Sequence, residues 1–353
     1  MRQGGEERLS RDRTHGRVAL VRSAVQSGHL DACGGPGCSR PSARAVGGRR
    51  VLRKVILAAA ESPRLQRVVR RHGMRLGASR FVAGETLDQA VVVLRRLHEN
   101  GLRANTTLLG EGVSGEAETR VVVDTYKAVF DRIAAEQLRV NVALKLTQLG
   151  LAFDEELARA NIRELVAHAG RLGNFVRLDM EESSFVDATL RVFRALREDG
   201  HENVGTVLQS YLYRSPADLE SLLDLTPNLR FVKGAYFEPP AVAYPEKKDV
   251  DAAYARLIER SLSAGGFTAV ATHDTALVAH AIAYAEDNGI PRTRFQFQML
   301  YGVRGKLQLD LVRQGYDVLV ATPYGPDWYR YLMRRLAERP ANVLFLARNL
   351  VRR

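Results

Sequence analysis

The chain has 353 residues, 46% of them hydrophobic and 26% charged, which excludes a wholly disordered, collagen-like or disulfide-scaffold protein. No apolar run approaches the roughly 18 residues needed to cross a bilayer, so an integral membrane protein is excluded and a peripheral one is not. The net charge is +12 and unevenly placed: residues 1–50 carry ten arginines, no lysine and four acids, a surplus of six.

That opening segment also holds nine of the 29 glycines and both cysteines, Cys33 and Cys38. It has no hydrophobic period, and its longest apolar stretch, Val18-Ala-Leu-Val21, is too short for a secretory signal, which needs about 7–15 apolar residues. Residues 1–50 read as a basic, Gly/Arg-rich disordered tail, either inert or added by a start codon assigned too far upstream. The functional alternative is contact with an anionic surface or nucleic acid. Cys33 and Cys38 lack a nearby second ligand pair, so a zinc site is not indicated. From residue 51 onward there is no cysteine, which suits a reducing cytoplasm.

Residues 51–353 read as one catalytic domain. A leading helical segment covers Val51–Arg71. Gly84-Glu-Thr-Leu-Asp88 starts a second helix, and Asn100-Gly101 stops it. Strands are then expected at Thr106–Leu109, Val140–Leu146, Phe175–Met180, Val204–Leu208, Leu229–Val232, Ala269–Thr272, Phe295–Met299 and Val318–Ala321, each followed by an amphipathic helix. Ser215-Pro216 supplies an N-cap with proline in the first turn, and Gly170, Gly200, Gly289 and Gly315 sit where chains leave helices. Strands alternating with helices pair in parallel through right-handed crossovers. Eight such units in about 240 residues fit a closed (β/α)8 barrel. An open dinucleotide-binding sheet would need a Gly-rich turn after the first strand, and Leu109-Gly110-Glu111-Gly112 does not match it; no P-loop occurs either.

Barrel active sites lie at the C-terminal strand ends. Those ends carry Glu111, Lys145 with Thr147, Asp179, Gln209, Lys233-Gly-Ala-Tyr236, His273-Asp274, Gln298 and Pro323-Tyr-Gly325. Any one polar residue there is ordinarily structural. Lys145 differs, because in Asn141-Val-Ala-Leu-Lys-Leu146 it stands inside an apolar run, where an ammonium needs a partner. That partner is either Asp179 on the neighbouring strand or an anionic ligand. In the last helix, Arg334 and Arg335 are adjacent, about 100° apart. They can close on a carboxylate or phosphate, or form a solvated basic face; Tyr331 lies three residues before Arg334. The eight histidines form no H-E-x-x-H, and no G-x-S-x-G occurs, so metal and serine-hydrolase chemistry are not indicated. The residues alone indicate a barrel enzyme handling a small anion and do not name the reaction.

Arg177-Leu-Asp-Met-Glu-Glu, Val207-Leu-Gln-Ser-Tyr-Leu, Leu229-Arg-Phe-Val-Lys-Gly-Ala-Tyr236, Ala271-Thr-His-Asp and Pro323-Tyr-Gly…Tyr331-Leu-Met-Arg-Arg-Leu-Ala-Glu338 together resemble the proline dehydrogenase family, in that family's order, across roughly residues 51–353. The resemblance implies an α/β fold, a distorted (β/α)8 TIM barrel with an N-terminal helical segment and a final helix over the mouth. It also implies FAD as cofactor and oxidation of L-proline to Δ1-pyrroline-5-carboxylate by hydride transfer. By the same resemblance, Lys145, Arg334 and Arg335 hold the proline carboxylate, and Arg230 sits by flavin N5, where positive charge favours the reduced anionic flavin. Asp179 and Tyr236 match active-site wall positions, Asp179 counting with Arg230 as catalytic, and Tyr236, Tyr331 and Ala321 border the substrate. Met180, Gln209, Val232, Lys233, Gly234, Ala235, Thr272, His273 and Glu338 match FAD-contacting positions, and Glu111 matches a gate acid that pairs with Arg334. The cationic site would keep the proline amine neutral by like-charge repulsion.

Ala321 departs from the pattern, since the family carries a tyrosine there that packs over the proline ring. Its absence raises hydroxyproline dehydrogenase as an alternative. The resemblance further implies a quinone or other electron acceptor and a separate pyrroline-5-carboxylate dehydrogenase. It places the protein in the cytoplasm, with the basic tail offering peripheral contact with the inner face of the membrane. Nucleic-acid binding is a remote alternative: half the charge surplus lies in the tail and no binding motif follows it.

Overall fold

The computed structural model describes residues 62–110 and 112–338. The expected tail, residues 1–50, the first part of the leading helical segment and Glu111 lie outside the described residues. The chain then runs α1 (Pro63–Leu76), α2 (Leu87–Glu99), β1 (Arg103–Leu108), α3 (Glu116–Ala135), β2 (Val140–Lys145), α4 (Glu155–Arg171), β3 (Val176–Asp179), α5 (Val186–Glu198), β4 (Val204–Gln209), α6 (Ser215–Leu222), β5 (Asn228–Val232), α7 (Lys247–Ser263), β6 (Phe267–Ala271), α8 (Thr275–Asp287), β7 (Phe295–Leu300), α9 (Gly305–Arg313), β8 (Val318–Tyr324) and α10 (Trp328–Glu338). The eight strands close into one parallel barrel, β1 through β8 in order, with β8 pairing back onto β1.

Alternation along each strand builds two layers. Val142, Leu144, Val176, Leu178, Phe231, Val270, Phe297 and Val320 face outward into the main core, against Tyr126, Phe130, Leu165, Phe193, Tyr254 and other helix residues. The opposite parity points into the barrel, and it is unusually small and polar: Asn105, Ala143, Arg177, Gly205, Arg230, Ala269, Gln296 and Gln298 are all buried. Gly205 is required there, because a Cβ would stand 2.5 Å from Nη1 of Arg177 and close to the Asn228 carbonyl.

Helix starts follow local chemistry. The Thr86 hydroxyl accepts the Gln89 N–H at 3.4 Å, and the Asp154 carboxylate accepts the Leu157 N–H at 3.0 Å, each satisfying an orphan first-turn donor. Ser215 does not act as the expected cap. Arg214 is the cap residue, and the Ser215 hydroxyl donates instead to the carbonyl of Gln209 at 2.6 Å, tying α6 to the end of β4. Gly170 likewise lies inside the last turn of α4, and Gly173 takes the positive φ of 65° beyond it.

Strand limits differ from expectation most at β1 and β8, and β6 begins two residues early, at Phe267. β1 begins at Arg103, not Thr106, because Arg103 and Asn105 are inward polar residues that interrupt the apolar run. β8 continues through Pro323 to Tyr324. Beyond Ala321 it pairs with β1 alone, so the N–H that proline lacks is not needed by β7.

A smaller apolar cluster lies apart from the main core. Ala78, Phe81 and Val82 pack with Trp328, Tyr329, Leu332 and Met333 of α10, flanked by Val69 and Met74 of α1. The Trp328 indole N–H donates to Glu85 at 2.6 Å, and Arg70 of α1 pairs with Asp327 at 3.3 Å. The final helix is thereby anchored at its start.

Candidate active site

Four inward side chains from alternate strands meet in one layer: Asn105 of β1, Asp179 of β3, Arg230 of β5 and Gln298 of β7. Arg230 is the hub. Its Nη1 donates to Asp179 at 2.9 Å, its Nε to Oε1 of Gln298 at 2.6 Å and its Nη2 to Oδ1 of Asn105 at 3.2 Å. Burial pushes the Arg230 pKa down while Asp179 acts upward. The pair is partly shielded, with side-chain exposures of 10% for Arg230 and 27% for Asp179.

Lys145 and Asp179 stand in register on neighbouring strands, but Asp179 pairs with Arg230, so a structural Lys145–Asp179 pair does not form. Lys145 is half-buried and makes no ion pair with any described side chain. It lines a cleft with Thr107, Leu108, Gly110, Gln148 and Tyr331. This brings the end of β2 and the helix that carries Arg334 and Arg335 to one place at the C-terminal mouth. Arg334, Arg335 and Glu338 belong to α10, and their side chains lie outside what the structure describes.

The ends of β3 to β5 form an apolar wall. Met180, Val207, Tyr211 and Leu212 pack together with Val232 against them. Gln209 donates to the carbonyl of Glu181 at 3.2 Å, while its Oε1 is buried without a partner among the described residues. Gly234 has φ 111°, and a Cβ there would run into the Tyr211 ring. The Tyr211 ring therefore by itself requires glycine at this position. Lys233 is held by Asp274 at 3.1 Å and by Asp251, which also binds Lys247. Ala235 is exposed and Tyr236 half-buried.

At the end of β6, the Thr272 hydroxyl accepts the Asp274 N–H at 3.1 Å. Nε2 of His273 accepts the Leu300 N–H at 2.9 Å, which leaves the proton of a neutral ring on Nδ1. Ala321 is in register with Asn105 and points inward by alternation, partly exposed.

Two residues, Asn105 and Glu181, were not singled out in the sequence, and Gln298 was noted only as a polar residue near a strand end. Asn105 and Gln298 flank Arg230, and the signal for that role is inward parity. Glu181 is 6% exposed and accepts from the Thr147 N–H at 3.2 Å and hydroxyl at 2.9 Å. Burial raises its pKa, while Lys145 and Thr147 act to lower it. The described residues include no group of three His, Cys, Asp or Glu side chains able to hold a metal, and no helix long and apolar enough to cross a membrane.

The family model described as Proline dehydrogenase matches residues 90–348. Proline dehydrogenase 1 of Bacillus subtilis (strain 168) is 41% identical over 303 residues, covering 86% of this chain and 100% of that protein. Proline dehydrogenase of Deinococcus radiodurans is 43% identical over 304 residues, covering 85% of this chain and 98% of that one. Among solved structures, proline utilization A (PutA) from Bdellovibrio bacteriovorus, inactivated by N-propargylglycine, superposes with a TM-score of 0.71 at 26% identity, covering 77% of this chain and 33% of that one. These names favour proline over the hydroxyproline alternative and over nucleic acid. On this breadth of match and on its closed parallel barrel, the chain belongs to the proline dehydrogenase family.

Proposed function

We propose that the barrel mouth binds FAD and L-proline together, and that proline is oxidised there to Δ1-pyrroline-5-carboxylate. The observation that carries the reading is the pairing pattern at the mouth. Asp179 is committed to Arg230 at 2.9 Å, which leaves Lys145 as a half-buried cation facing a cleft with no ion pair to a described side chain. A carboxylate entering that cleft meets Lys145, and Arg334 and Arg335 of α10 are assigned as its further contacts. Three cations fix the substrate's orientation, which is a large part of rate acceleration in a two-partner reaction. They also hold the substrate amine neutral.

Flavin fits the neighbouring surface. The buried Gln209 Oε1, without a partner among the described residues, can accept from a ring N–H. Arg230 uses three of its five N–H groups on protein acceptors, leaving two for ring acceptors. Met180 and Val232 supply apolar wall, and Thr272, His273, Lys233, Gly234 and Ala235 border it on the β5–β6 side. When bound, FAD accepts the hydride from proline C5. Arg230 holds positive charge where the reduced ring gains negative charge. Tyr331 lines the cleft, and Tyr236 belongs to the same mouth. Glu111 is assigned as the gate acid opposite Arg334, and Glu338 as a cofactor contact. Ala321 leaves the ring pocket open where a tyrosine would fill it. A quinone or related acceptor would take the electrons onward, the product would pass to a separate pyrroline-5-carboxylate dehydrogenase, and the protein would work in the cytoplasm or at the membrane's inner face.

The test is binding of cyclopentanecarboxylate, which has the ring and acid but no amine. It is expected to perturb the visible flavin spectrum with saturation and to compete with proline. It should lose affinity about tenfold in Lys145→Met, the equivalent of one charge-assisted contact. Unchanged affinity in that variant would contradict the assigned clamp.

A further inference from the structure

Below Arg230 the barrel interior contains a continuous side-chain chain that reaches its opposite end. Oε1 of Gln298 accepts from Nε of Arg230 at 2.6 Å, and Nε2 of Gln298 donates to Oε1 of Gln296 at 2.8 Å. Nε2 of Gln296 donates to Asp317 Oδ2 at 2.7 Å, which also receives Nη1 of Arg103 at 3.3 Å. Gln298 and Gln296 are 5% and 4% exposed. Asp317, just before β8, reaches the far rim with its side chain 31% exposed.

The two ends of this chain fix its direction. A guanidinium can only donate and a carboxylate can only accept. With Asp317 accepting from Gln296, the Gln296 oxygen must face Gln298. The Gln298 amide nitrogen is then turned toward Gln296, and its oxygen toward Arg230. Flipping either amide sets donor against donor or oxygen against oxygen, a costly arrangement in a buried site. We infer that Gln298, Gln296 and Asp317 are positioning residues that lock the Arg230 guanidinium in the plane from which it acts on the flavin, so that a carboxylate at the bottom of the barrel sets the reactivity of the ring at its mouth. This rests on the proposed placing of Arg230 beside the flavin.

The test is the two-electron midpoint potential of the FAD-loaded protein, with kcat and KM for proline alongside. Gln298→Met keeps volume but removes the acceptor. It is expected to shift the oxidised/reduced equilibrium at least tenfold toward the oxidised flavin, about 30 mV for two electrons, and to lower kcat with KM changed less than twofold. Asp317→Ala, remote from the cofactor face, removes one of the two ends that fix the direction of the chain, leaves Gln296 Nε2 without its acceptor, and is expected to shift the equilibrium in the same direction by about threefold. Asp317→Asn keeps an acceptor and should restore the wild-type potential; that rescue distinguishes the relay from a general loss of packing. Should Gln298→Met fail to hold flavin, the Asp317 pair still decides the matter. The relay is refuted if Arg230→Met moves the potential while Gln298→Met and Asp317→Ala both leave it in place, or if Asp317→Asn shifts it as far as Asp317→Ala. If Arg230→Met itself leaves the potential unchanged, the placing of Arg230 fails, and the relay with it.

Discussion

Lys145 and Arg230 are both cations at the barrel mouth, yet the structure assigns them opposite consequences on removal. Arg230 is bonded to Asp179, Gln298 and Asn105. In Arg230→Met, Asp179 loses its cation, and three acceptors lose a donor. Removing one partner of a buried pair costs about 3–5 kcal/mol; with Asp179 27% exposed, the lower end applies. At roughly 2–4 °C per kcal/mol for a domain of this size, Tm should fall by on the order of 10 °C. Lys145 forms no ion pair with a described acid and acts on Glu181 only at longer range, so Lys145→Met should leave Tm within about 2 °C. Its loss falls on substrate binding: one charge-assisted contact, about 1.5–3 kcal/mol, tempered by the solvent-open cleft, predicts a roughly 10–30-fold fall in kcat/KM for proline. Differential scanning fluorimetry and steady-state kinetics on the two variants decide it. A Lys145→Met protein that loses stability as Arg230→Met does, or that keeps wild-type kcat/KM, would refute the division of roles.

Three further outcomes follow from the same structure. Gly73 lies in α1, where Gly→Ala ordinarily stabilises a helix by up to about 1 kcal/mol. A Cβ there would stand 2.6 Å from Cη2 of the fully buried Trp328, so Gly73→Ala should instead destabilise by roughly 1–3 kcal/mol. It should also raise KM for proline, because α10 carries Arg334 and Arg335; a rise in Tm would contradict this. Ala321→Tyr should increase the kcat/KM preference for proline over 4-hydroxyproline by roughly 10-fold or more, the range for a small group in a pocket, and an unchanged ratio would show that position 321 does not touch the ring. Arg120 and Lys127 hold the Glu164 carboxyl down to about 2 from its ordinary 4.5. A depressed acid stabilises the fold above its unfolded pKa and loses that stabilisation as pH falls through the folded one. Glu164→Gln should therefore cost about 1 kcal/mol at neutral pH, discounted for a side chain 37% exposed. The difference from wild type should vanish between about pH 4.5 and pH 2; a difference that persisted at pH 2 would refute the assignment.

The barrel was legible because its strands bury their outward faces under helices, and apolar runs such as Val142–Leu144 and Val318–Ala321, or alternating ones such as Phe295–Met299, stand out from the amphipathic helices between them. The inward face was less legible. Lys145 drew notice as a charge inside an apolar run, and Arg230 entered through family resemblance. Of the amides that hold Arg230, Gln298 showed only as a polar residue near a strand end and Asn105 not at all, since a neutral Asn or Gln on a strand carries no charge signal. Its meaning depends on which parity faces inward and on the register that aligns β1, β3, β5 and β7. Asn105 was further hidden because the expected start of β1 fell one residue after it. The partner of Lys145 could not be settled from sequence either: adjacency to Asp179 is a matter of register, but the choice between Lys145 and Arg230 is a matter of reach across the barrel.

The most direct measurement is anaerobic addition of L-proline to the purified, FAD-loaded protein while the flavin absorption is followed. The flavin should bleach as Δ1-pyrroline-5-carboxylate appears in equal amount, and Lys145→Met should slow the bleaching at subsaturating proline. A flavin that binds but stays oxidised in the presence of proline, or a protein that takes up no flavin at all, would contradict the account.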